Sequence, residues 1–489
     1  MSLYHIFPEI ILFCGALTIL MLDVFLAKKF KNFFLTTHSL SLVFVAGAIF
    51  VLTNIFNVNE VVYSDMLSIN PLLSFVKIII LCLLAMTITL SLKFVSNNQK
   101  MSSEFIALYM ISAVGAMVLV SSHDFLTFYL GLELHSLPLY LLAAINRKSQ
   151  RSSESGMKYF ILGCVASGIL LFGISIVYGF SGTTNFTEFF NLYFQTTMNP
   201  EVPAAVLFGF ILILSAMFFK ISAAPFHMWA PDVYQGSPTV ITTYFASVAK
   251  FAAIIAILKL YFGLIGFFKW PGIENIFIFT GVLSLLVGSF GAIFQTNIKR
   301  LLAYSSIGHV GFILLGMSSF HIMSFMACFI YITIYSIITI GSFAFLNLLK
   351  KKDSNDDSDK NDDVIYDIKN LAGLAKSSPV TAFFFAALMF SSAGIPPLAG
   401  FFSKFYIISS IASSQNYILA ITAVLFSVVS AFYYLRIVKI MYFDETKNVI
   451  EIDNMTATKV ILAISAIINI LLIAKMDIFV LLIKTFTIS

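Results

Sequence analysis

Long apolar runs alternate with short polar loops along the whole chain. A helix needs about 20 apolar residues to cross the roughly 30 Å hydrocarbon core of a bilayer. Fourteen runs meet this requirement, and two of them, 203–236 and 379–413, are interrupted by prolines. The other predicted spans are 6–27, 35–55, 72–95, 103–121, 124–145, 156–180, 238–262, 273–294, 300–318, 322–349, 416–443 and 456–483. The pattern predicts an all-α polytopic membrane protein with about fourteen transmembrane helices.

The composition agrees with this pattern. Of the 489 residues, 59% are hydrophobic and 11% are charged, whereas a soluble protein carries roughly 25% charged residues. The net charge of +5 comes from lysines in loops beside apolar spans, so it indicates membrane orientation rather than nucleic-acid binding. The four cysteines lack the spacing of a metal site and are predicted to be small buried apolar side chains: Cys14, Cys82, Cys164 and Cys328.

Basic residues are concentrated in the loops that follow odd-numbered spans. They are Lys28, Lys29, Lys31, Lys93, Lys100, Arg147, Lys148, Arg151, Lys299, Arg300, Lys350, Lys351 and Lys352, and Lys269 is the clear exception on the other side. Because basic loops stay on the inner side of the membrane, both termini are predicted to lie on the outer side. The inner loop 350–370 contains an acidic segment, 353–363, which is predicted to be solvated and disordered.

The two interrupted spans resemble each other. Pro225 breaks the first span, Pro396 and Pro397 break the second, and a lysine lies close to each break. A broken helix survives in lipid only where protein or a water-filled cavity surrounds it. The two spans are the seventh and the twelfth, so they cross the membrane in opposite directions, and such a pair indicates inverted repeats around a central ion pathway. Two unrelated kinks are the alternative.

This reasoning predicts four parts of the chain. An N-terminal three-helix segment covers 1–102, and the first five-helix repeat covers 103–262 with its broken helix at 203–236. The second, inverted five-helix repeat covers 263–443 with its broken helix at 379–413, and a C-terminal helix covers 444–489.

Five ionisable residues lie near the middle of predicted spans: Glu133, Lys220, Lys250, His309 and Lys404. A charge at mid-bilayer costs at least about 2.5–3.5 kcal/mol on insertion scales, so such residues are functional candidates. Burial disfavours the charged form of a lysine or a glutamate, whereas a nearby opposite charge favours it. If Glu133 pairs with Lys220, opening that pair would release the lysine's proton to the next basic site, and we predict a relay in the order Lys220, Lys250, His309, Lys404.

Structural roles remain open for several of these residues. Glu133 and Lys250 could form a purely structural ion pair, and His309 could be a hydrogen-bonded core histidine. His227, inside the first break, could carry protons or only maintain the shape of the break. Lys158 is predicted to anchor the start of its span at the membrane interface.

Motifs for redox cofactors and nucleotides are missing from the sequence. There is no GxGxxG segment after a strand, no P-loop and no ligand set for haem or an iron–sulfur cluster. The chain is therefore expected to bind no redox cofactor and to hydrolyse no nucleotide, and an ion gradient or a partner must drive any ion movement.

Three motifs carry a resemblance to a known family. The segment KISAAPFHMWAPDVYQGSP at 220–238 resembles the signature of the subunit N family, one of the antiporter-like membrane subunits of bacterial respiratory complex I (NADH:quinone oxidoreductase). The segments AGIPPLAGFFSK at 393–404 and IKRLLAYSSIGH at 298–309 are similar to the same family. The related subunits L and M and the Mrp-type antiporters usually read PLHTWLPDAH at the first break, where this chain reads PFHMWAPDVY.

Lysine at 404 also fits subunit N, since subunit M characteristically has glutamate there. The sequence departs from the family at Gln235, where glutamate is frequent, and at 240–242, where a further proline is common. Both departures lie at the end of the broken span and leave the predicted relay residues in place.

The resemblance implies proton pumping, with Glu133 and Lys220 as the coupled pair, Lys250 and Lys404 as relay and exit-side sites, and a relay or tuning role for Lys158. It implies that NADH, FMN, iron–sulfur clusters and quinone are bound by other subunits and that no cofactor is bound here. The implied partners are the other antiporter-like subunits, small membrane subunits, the lipid bilayer and protons, but no nucleic acid.

The implied location is the bacterial inner membrane, with both termini periplasmic. The alternatives are a free-standing or Mrp-type cation/proton antiporter and a non-transporting assembly subunit.

Overall fold

The computed structural model describes residues 3–26, 33–97, 102–194, 203–265, 272–319, 321–351, 365–445 and 450–472. These residues are mostly α-helical. In chain order the helices are α1 Phe7–Leu26, α2 Phe33–Asn54, α3 Pro71–Leu90, α4 Leu92–Asn97, α5 Ser102–Ser121, α6 Phe125–Ala143, α7 Gln150–Ser181, α8 Phe186–Phe194, α9 Ala204–Lys220, α10 Trp229–Gly236, α11 Thr239–Tyr244, α12 Lys250–Ile265, α13 Ile273–Ile293, α14 Ile298–Met317, α15 Ile322–Leu348, α16 Leu374–Ser377, α17 Pro379–Ala393, α18 Ala399–Ser413, α19 Tyr417–Phe443 and α20 Thr456–Leu471.

Short elements complete the described chain. Two antiparallel strand pairs join β1 (Glu60–Val62) to β2 (Leu67–Ile69) and β3 (Leu349–Lys351) to β4 (Ile450–Ile452). The 3-10 turns are Leu3–Ile6 and Ile368–Leu371, and the π-helical turn Phe245–Ala249 connects α11 to α12.

The number of membrane-crossing segments agrees with the prediction. Among the described residues, 11 helices are long and apolar enough to span a membrane, and three shorter apolar helices accompany them: Ala204–Lys220, Pro379–Ala393 and Thr456–Leu471. The protein is thus an all-α polytopic membrane protein with about fourteen spans. The acidic segment 353–363, the end of the last predicted span after 472 and the basic residues Lys28, Lys29, Lys31, Lys100, Lys269 and Lys352 lie outside the described residues.

Polar caps determine two of the helix boundaries. The Asp124 carboxylate accepts hydrogen bonds from the amides of Leu126 and Thr127, which starts α6 directly after α5. The Ser149 hydroxyl caps α7, which therefore begins at Gln150 rather than at the predicted residue 156. Lys158 consequently lies two turns inside its helix, and its predicted place at the membrane interface stays a prediction.

The chain divides into two compact units. Unit 1 contains the described residues of 1–221 and 248–269, and unit 2 contains those of 222–247 and 270–481. In unit 1, α5 is a common neighbour on which α1, α3, α6 and α12 pack, and α7 packs on α9. In unit 2, α14 packs between α13 and α15, and α15 also contacts α18 and α20. The predicted repeat boundaries are a different division, which stays a prediction.

Glycines permit close helix contacts in each unit. A Cβ atom on Gly115 would lie 2.2 Å from the His135 amide nitrogen, and one on Gly288 would lie 2.4 Å from the Gly308 nitrogen. Small residues at such positions let helix backbones approach closely, as is common between transmembrane helices.

Both predicted helix breaks are present. The first half-helix of each break ends near a left-handed residue, Ser222 with φ 59° and Gly394 with φ 86°. The second half-helices are α10 and α18, and cis peptide bonds join Ala224 to Pro225 and Pro396 to Pro397. Lys220 ends the first half of the first break, whereas Lys404 lies in the second half of the second break.

Candidate functional site

Lys220 is held by two hydroxyl groups in unit 1. Its Nζ donates hydrogen bonds to Ser136 Oγ at 2.9 Å and to Tyr140 Oη at 2.8 Å. Both partners are buried and lie one turn apart on α6. An ammonium bound by neutral hydroxyls keeps its hydrogen bonds satisfied without a fixed countercharge, so the site can accommodate either the charged or the neutral amine.

Glu133 lies on the same helix, three residues before Ser136. Its carboxylate accepts a hydrogen bond from the Ser167 hydroxyl of α7. Its charge still acts on the Lys220 ammonium. The structure thus gives the carboxylate and the ammonium separate hydroxyl partners, and the predicted opening and closing of a direct Glu133–Lys220 pair stays a prediction.

The Tyr140 ring is fixed by α7. It packs edge-on against Tyr159 at a centroid distance of 4.7 Å and against Phe160 at 5.8 Å. Its hydroxyl lies over Gly163, where an added Cβ would come within 2.2 Å of the oxygen. Position 163 must therefore be glycine for Tyr140 to reach Lys220.

Lys250 is the most deeply buried of the predicted relay lysines. Its exposed fraction is 1%. It begins α12, directly after the π-helical turn Phe245–Ala249, and α12 packs on α5 and α9 within unit 1. Single π turns are frequent at functional sites because they re-aim side chains.

Lys404 is bound inside unit 2. Its Nζ donates to the Ala393 carbonyl at 2.9 Å and to Ser430 Oγ at 3.3 Å, and it lies 5.3 Å from the centre of the Phe312 ring. Ala393 ends α17, so the carbonyl is one of those that a helix end leaves without an intrahelical partner. The break at Pro396 and Pro397 thus provides the backbone acceptor for the lysine.

His309 connects two tyrosines in unit 2. Its Nδ1 lies 2.7 Å from Tyr331 Oη, and its Nε2 lies 2.8 Å from Tyr434 Oη. Tyr434 in turn contacts the Ser305 hydroxyl. An imidazole with a hydroxyl on each nitrogen can accept a proton on one side and give one up on the other.

A small cavity lies between His309 and Lys404. Tyr331, Tyr335, Ser391, Ser392, Gly400 and Ser403 complete its polar and small lining. Its free space of about 10 Å³ is about the room that one water molecule requires. A single water there would have several polar partners and could link the histidine network to the lysine.

Two other predicted residues, Lys158 and His227, have surroundings of a different kind. Lys158 Nζ forms an ion pair of 2.7 Å with Glu154 on the same helix, and both side chains are about half exposed. His227 is half-buried, and its carbonyl accepts the Ala230 amide in the first turn after the break. Pro225, beside it, is exposed.

The prediction that the cysteines are buried is wrong for three of them. Cys14, Cys82 and Cys164 are exposed, and Cys328 is buried. The exposed thiols lie on helices that would face lipid or partner subunits. Apolar residues around a cysteine in the sequence therefore did not mean that its side chain is buried within the protein. Among the described residues, no group of three or more His, Cys, Asp and Glu side chains could hold a metal ion.

Sequence reasoning missed the neutral partners and one charged cluster. Tyr140, Tyr331, Tyr434 and Ser430 are hydroxyl residues in apolar spans, where such residues are common and carry little signal. Lys77 lies near the start of its apolar run, as an interfacial lysine would, but it is buried and its Nζ lies 2.7 Å from Glu9 Oε1. Its position within an apolar run was the available signal.

Comparisons with known proteins agree with these features. Residues 122–431 match the family model described as NADH:quinone oxidoreductase/Mrp antiporter, transmembrane. NADH-quinone oxidoreductase subunit N of Paramagnetospirillum magneticum is 39% identical over 96% of this chain and 94% of its own length. The same-named subunit of Pelagibacter ubique is 39% identical over 93% of this chain and 92% of its own length.

Solved structures have the same fold. A chain of respiratory complex I from Thermus thermophilus matches with a TM-score of 0.79 and 25% identity, covering 97% of this chain and 98% of that one. A chain of the Mrp complex from a Dietzia species matches with a TM-score of 0.81 and 18% identity, covering 98% of this chain and 96% of that one. The second likeness concerns the fold alone.

Proposed function

Because the chain belongs to the NADH:quinone oxidoreductase/Mrp antiporter transmembrane family, we propose that it is the proton-translocating subunit N of a bacterial NADH:quinone oxidoreductase. Its partners are the other membrane subunits of that complex, and its location is the inner membrane. Electron transfer takes place in the partner subunits, where NADH, FMN, iron–sulfur clusters and quinone are bound. This chain contributes proton movement and no redox step of its own.

Two lysines with neutral hydrogen-bond partners, the half-buried Lys220 and the buried Lys404, carry the proposal. Lys220 is bound by Ser136 and Tyr140, and Lys404 is bound by a carbonyl and Ser430. A lysine kept only to neutralise a buried carboxylate would be bound to that carboxylate. Hydroxyl partners instead leave the protonation state of the amine free to change when a charge nearby moves.

The cycle starts from the state of Glu133. When the Glu133 carboxylate moves toward Lys220, the attraction favours the ammonium, and the lysine takes up a proton. When the carboxylate returns to the Ser167 hydroxyl, its attraction on the ammonium weakens, and the lysine releases the proton to water. At an effective dielectric near 20, a charge pair about 4 Å apart interacts by about 4 kcal/mol, which is enough to drive this change.

Later steps use the other buried bases. The proposed order of proton transfer is Lys220, Lys250, His309 and Lys404. In unit 2, His309 would pass a proton between Tyr331 and Tyr434, and a water in the neighbouring cavity would link it to Lys404. Lys158 and His227 are proposed to tune the relay rather than to carry protons, since Lys158 is paired with Glu154 and His227 lies beside the first break. The loop charges favour periplasmic termini.

The test is NADH-driven proton pumping by membrane vesicles that contain the assembled complex. Glu133→Ala and Lys220→Ala should each lower pumping severely while the complex still assembles and oxidises NADH with a soluble electron acceptor. Lys148→Ala, which removes an exposed loop lysine, is the control and should pump normally. Normal pumping by both relay variants would contradict the mechanism and favour a subunit whose charges serve assembly only.

A second candidate, an Mrp-type cation/proton antiporter, follows from the family model, whose description names both kinds of protein. An antiporter subunit exchanges cations for protons without NADH. We expect no exchange from the purified chain in proteoliposomes and pumping only with NADH and quinone in the complex. Co-purification of the chain with an NADH-oxidising assembly separates the two candidates.

A further inference from the structure

The second half of the first broken helix, α10, is too short to be stable on its own. It has eight residues, Trp229–Gly236, whereas isolated helices shorter than about 12–15 residues are marginal even with favourable sequences. Within unit 2 it packs on α14. The position of α10 therefore depends on the contacts that its neighbours make with it.

Lys299 contacts the C-terminal end of α10. Its Nζ donates hydrogen bonds to the Ser237 carbonyl at 2.6 Å and to the Gln235 carbonyl at 3.3 Å. The last carbonyls of a helix lack intrahelical partners, and the negative end of the helix dipole attracts a cation. The ammonium thus supplies both the donors and the charge that stabilise this end of α10.

Lys299 lies in an unusual place for a lysine. It is 2% exposed, and it belongs to the first turn of α14, where the dipole of its own helix disfavours a cation. The ring of Tyr366 covers its ammonium at 5.1 Å, and the Tyr366 hydroxyl lies 2.6 Å from Thr239 Oγ1 at the start of α11. A lysine that only set membrane orientation would keep its charge in water, so this burial indicates a role at α10.

Two further contacts join the same segment to α13 and α14. The Ala224 amide, at the start of the break, donates to Ser284 Oγ of α13 at 2.8 Å. Arg300 Nη1, of α14, donates to Asp232 Oδ1 at 2.7 Å, and both side chains are partly exposed. The segment 222–237 is therefore held at its start by α13 and at its end by α14.

We propose that Lys299 is a positioning residue of the proton relay, which fixes the end of α10 and thereby the shape of the first break. The proposal rests on the proposed function, because Lys220 lies two residues before Ser222, the left-handed residue at which the break begins. Lys299 moves no proton, and its ammonium stays bonded to the two carbonyls. A shift of α10 changes the backbone that follows Lys220, and proton transfer from Lys220 then slows.

The experiment measures the position of α10 and proton pumping in the assembled complex. Ala230, on α10, has no exposed surface, so the thiol of Ala230→Cys should react slowly with N-ethylmaleimide while α10 stays in place. Mass spectrometry of the peptide that contains position 230 distinguishes this thiol from the four cysteines of the chain. Protons pumped per NADH, assembly on native gels and NADH oxidation with a soluble acceptor are measured in complexes that keep Ala230.

Lys299→Met removes the ammonium and keeps an unbranched side chain. We expect at least a two-fold loss of protons per NADH with normal assembly, and at least three-fold faster labelling in the Ala230→Cys background. Lys299→Arg keeps a cation that can donate to both carbonyls, so it should resemble the unmodified complex in both measurements. Lys369→Met, at an exposed lysine of unit 2, is the control and should change neither.

Four results would overturn the proposal. Normal pumping by Lys299→Met, while Lys220→Ala still impairs pumping, shows that the relay does not depend on this end of α10. Reduced pumping with unchanged labelling shows that Lys299 acts without holding α10, and equal losses in Lys299→Met and Lys299→Arg show that the cation does not position it. Failure of Lys299→Met to assemble assigns the lysine a structural role only. Normal pumping by Lys220→Ala instead contradicts the proposed function itself.

Discussion

Two neutral hydroxyl groups hold Lys220, and the hydroxyl of Tyr140 is the easier of the two to test. Tyr140→Phe removes one of the two hydrogen bonds to Lys220 and little else, because the ring keeps its packing. A hydrogen bond to a charged group contributes about 1.5–3 kcal/mol, so we expect pumping to fall several-fold with normal assembly. NADH-driven proton uptake by vesicles measures the effect.

Tyr178→Phe is the matched control for this change, since Tyr178 lies on α7 with 52% of its surface exposed. It should pump like the unmodified complex. Equal pumping by Tyr140→Phe and Tyr178→Phe would show that the hydroxyl does not hold the lysine in a functional position.

Gly163 gives a second test of the same site from the opposite helix. Gly163→Ala places a Cβ 2.2 Å from Tyr140 Oη, so the tyrosine must move away from Lys220. We expect a loss of pumping similar to that of Tyr140→Phe. Gly168→Ala, in the same helix with nothing within 4 Å of the added Cβ, should pump normally, because alanine favours a helix.

If both glycine variants pump equally well, the displacement of Tyr140 does not affect pumping. The packing of α7 then does not determine how Lys220 works. Thermal stability of the solubilised complex provides a further comparison. It should fall for Gly163→Ala and should not fall for Gly168→Ala.

At the residue scale, the charged residues within apolar spans were the part of the site that could be predicted from the sequence. A lysine or glutamate within a span is costly in lipid whatever its neighbours, so Glu133, Lys220, Lys250 and Lys404 stand out from sequence. Their partners do not, because Ser136, Tyr140 and Tyr434 are ordinary side chains in a helical bundle. The burial of Lys77 was not predictable from the sequence either, because it depends on the packing of α1 and α5.

The two halves of the second broken helix are in close contact at Ser391 and Gly400. Ser391, near the end of α17, accepts the Gly400 amide on its hydroxyl at 3.0 Å and donates that hydroxyl to Asn469 Oδ1 at 2.6 Å. Asn469 belongs to α20, so α20 is hydrogen-bonded to the broken helix beside the cavity next to Lys404. A Cβ on Gly400 would lie 1.9 Å from the Ser391 carbonyl oxygen.

Gly400→Ala should therefore separate the two half-helices. Overpacking typically costs about 1–3 kcal/mol, and a clash with backbone leaves little room for relief. We expect lower thermal stability of the solubilised complex and reduced pumping. Gly47→Ala, whose added Cβ has its nearest neighbour at 4.0 Å, is the control, and equal stability of the two variants would show that the break adapts without cost.

At the element scale, the spans and the positions of both breaks follow from local pattern. Apolar length predicts a span and proline predicts an interruption, and neither requires knowledge of the neighbours. The start of α7 was placed six residues too late, because the polar segment before residue 156 reads as a loop although Ser149 caps a helix there. The contact of Ser391 with Asn469 depends on tertiary packing and has no local signal.

At the scale of the whole molecule, composition alone indicates a polytopic membrane protein, but the division into units is not predictable. The structural boundary falls directly after Lys220, at Ile221, and again between Ser247 and Val248. Lys220 and Lys250 therefore belong to unit 1, whereas the prolines of the first break belong to unit 2. Repeat reasoning from sequence placed boundaries between spans, because hydrophobicity does not reveal which half of an interrupted helix packs with which bundle.

The two units each contain a candidate relay site, and the proposed order of transfer makes these sites consecutive steps of one pathway. In a series pathway, a severe block at either step stops the whole proton flux, and a second block causes no further loss of pumping. We therefore expect Lys220→Met and Lys404→Met each to abolish most NADH-driven pumping, and the double variant to pump no less than the worse single variant. Parallel pathways predict another result: each single variant would retain the flux of the intact unit, and only the double variant would lose both. Proton uptake per NADH in vesicles distinguishes the two arrangements, with Lys148→Met as the control, and substantial residual pumping by both single variants would contradict a single pathway.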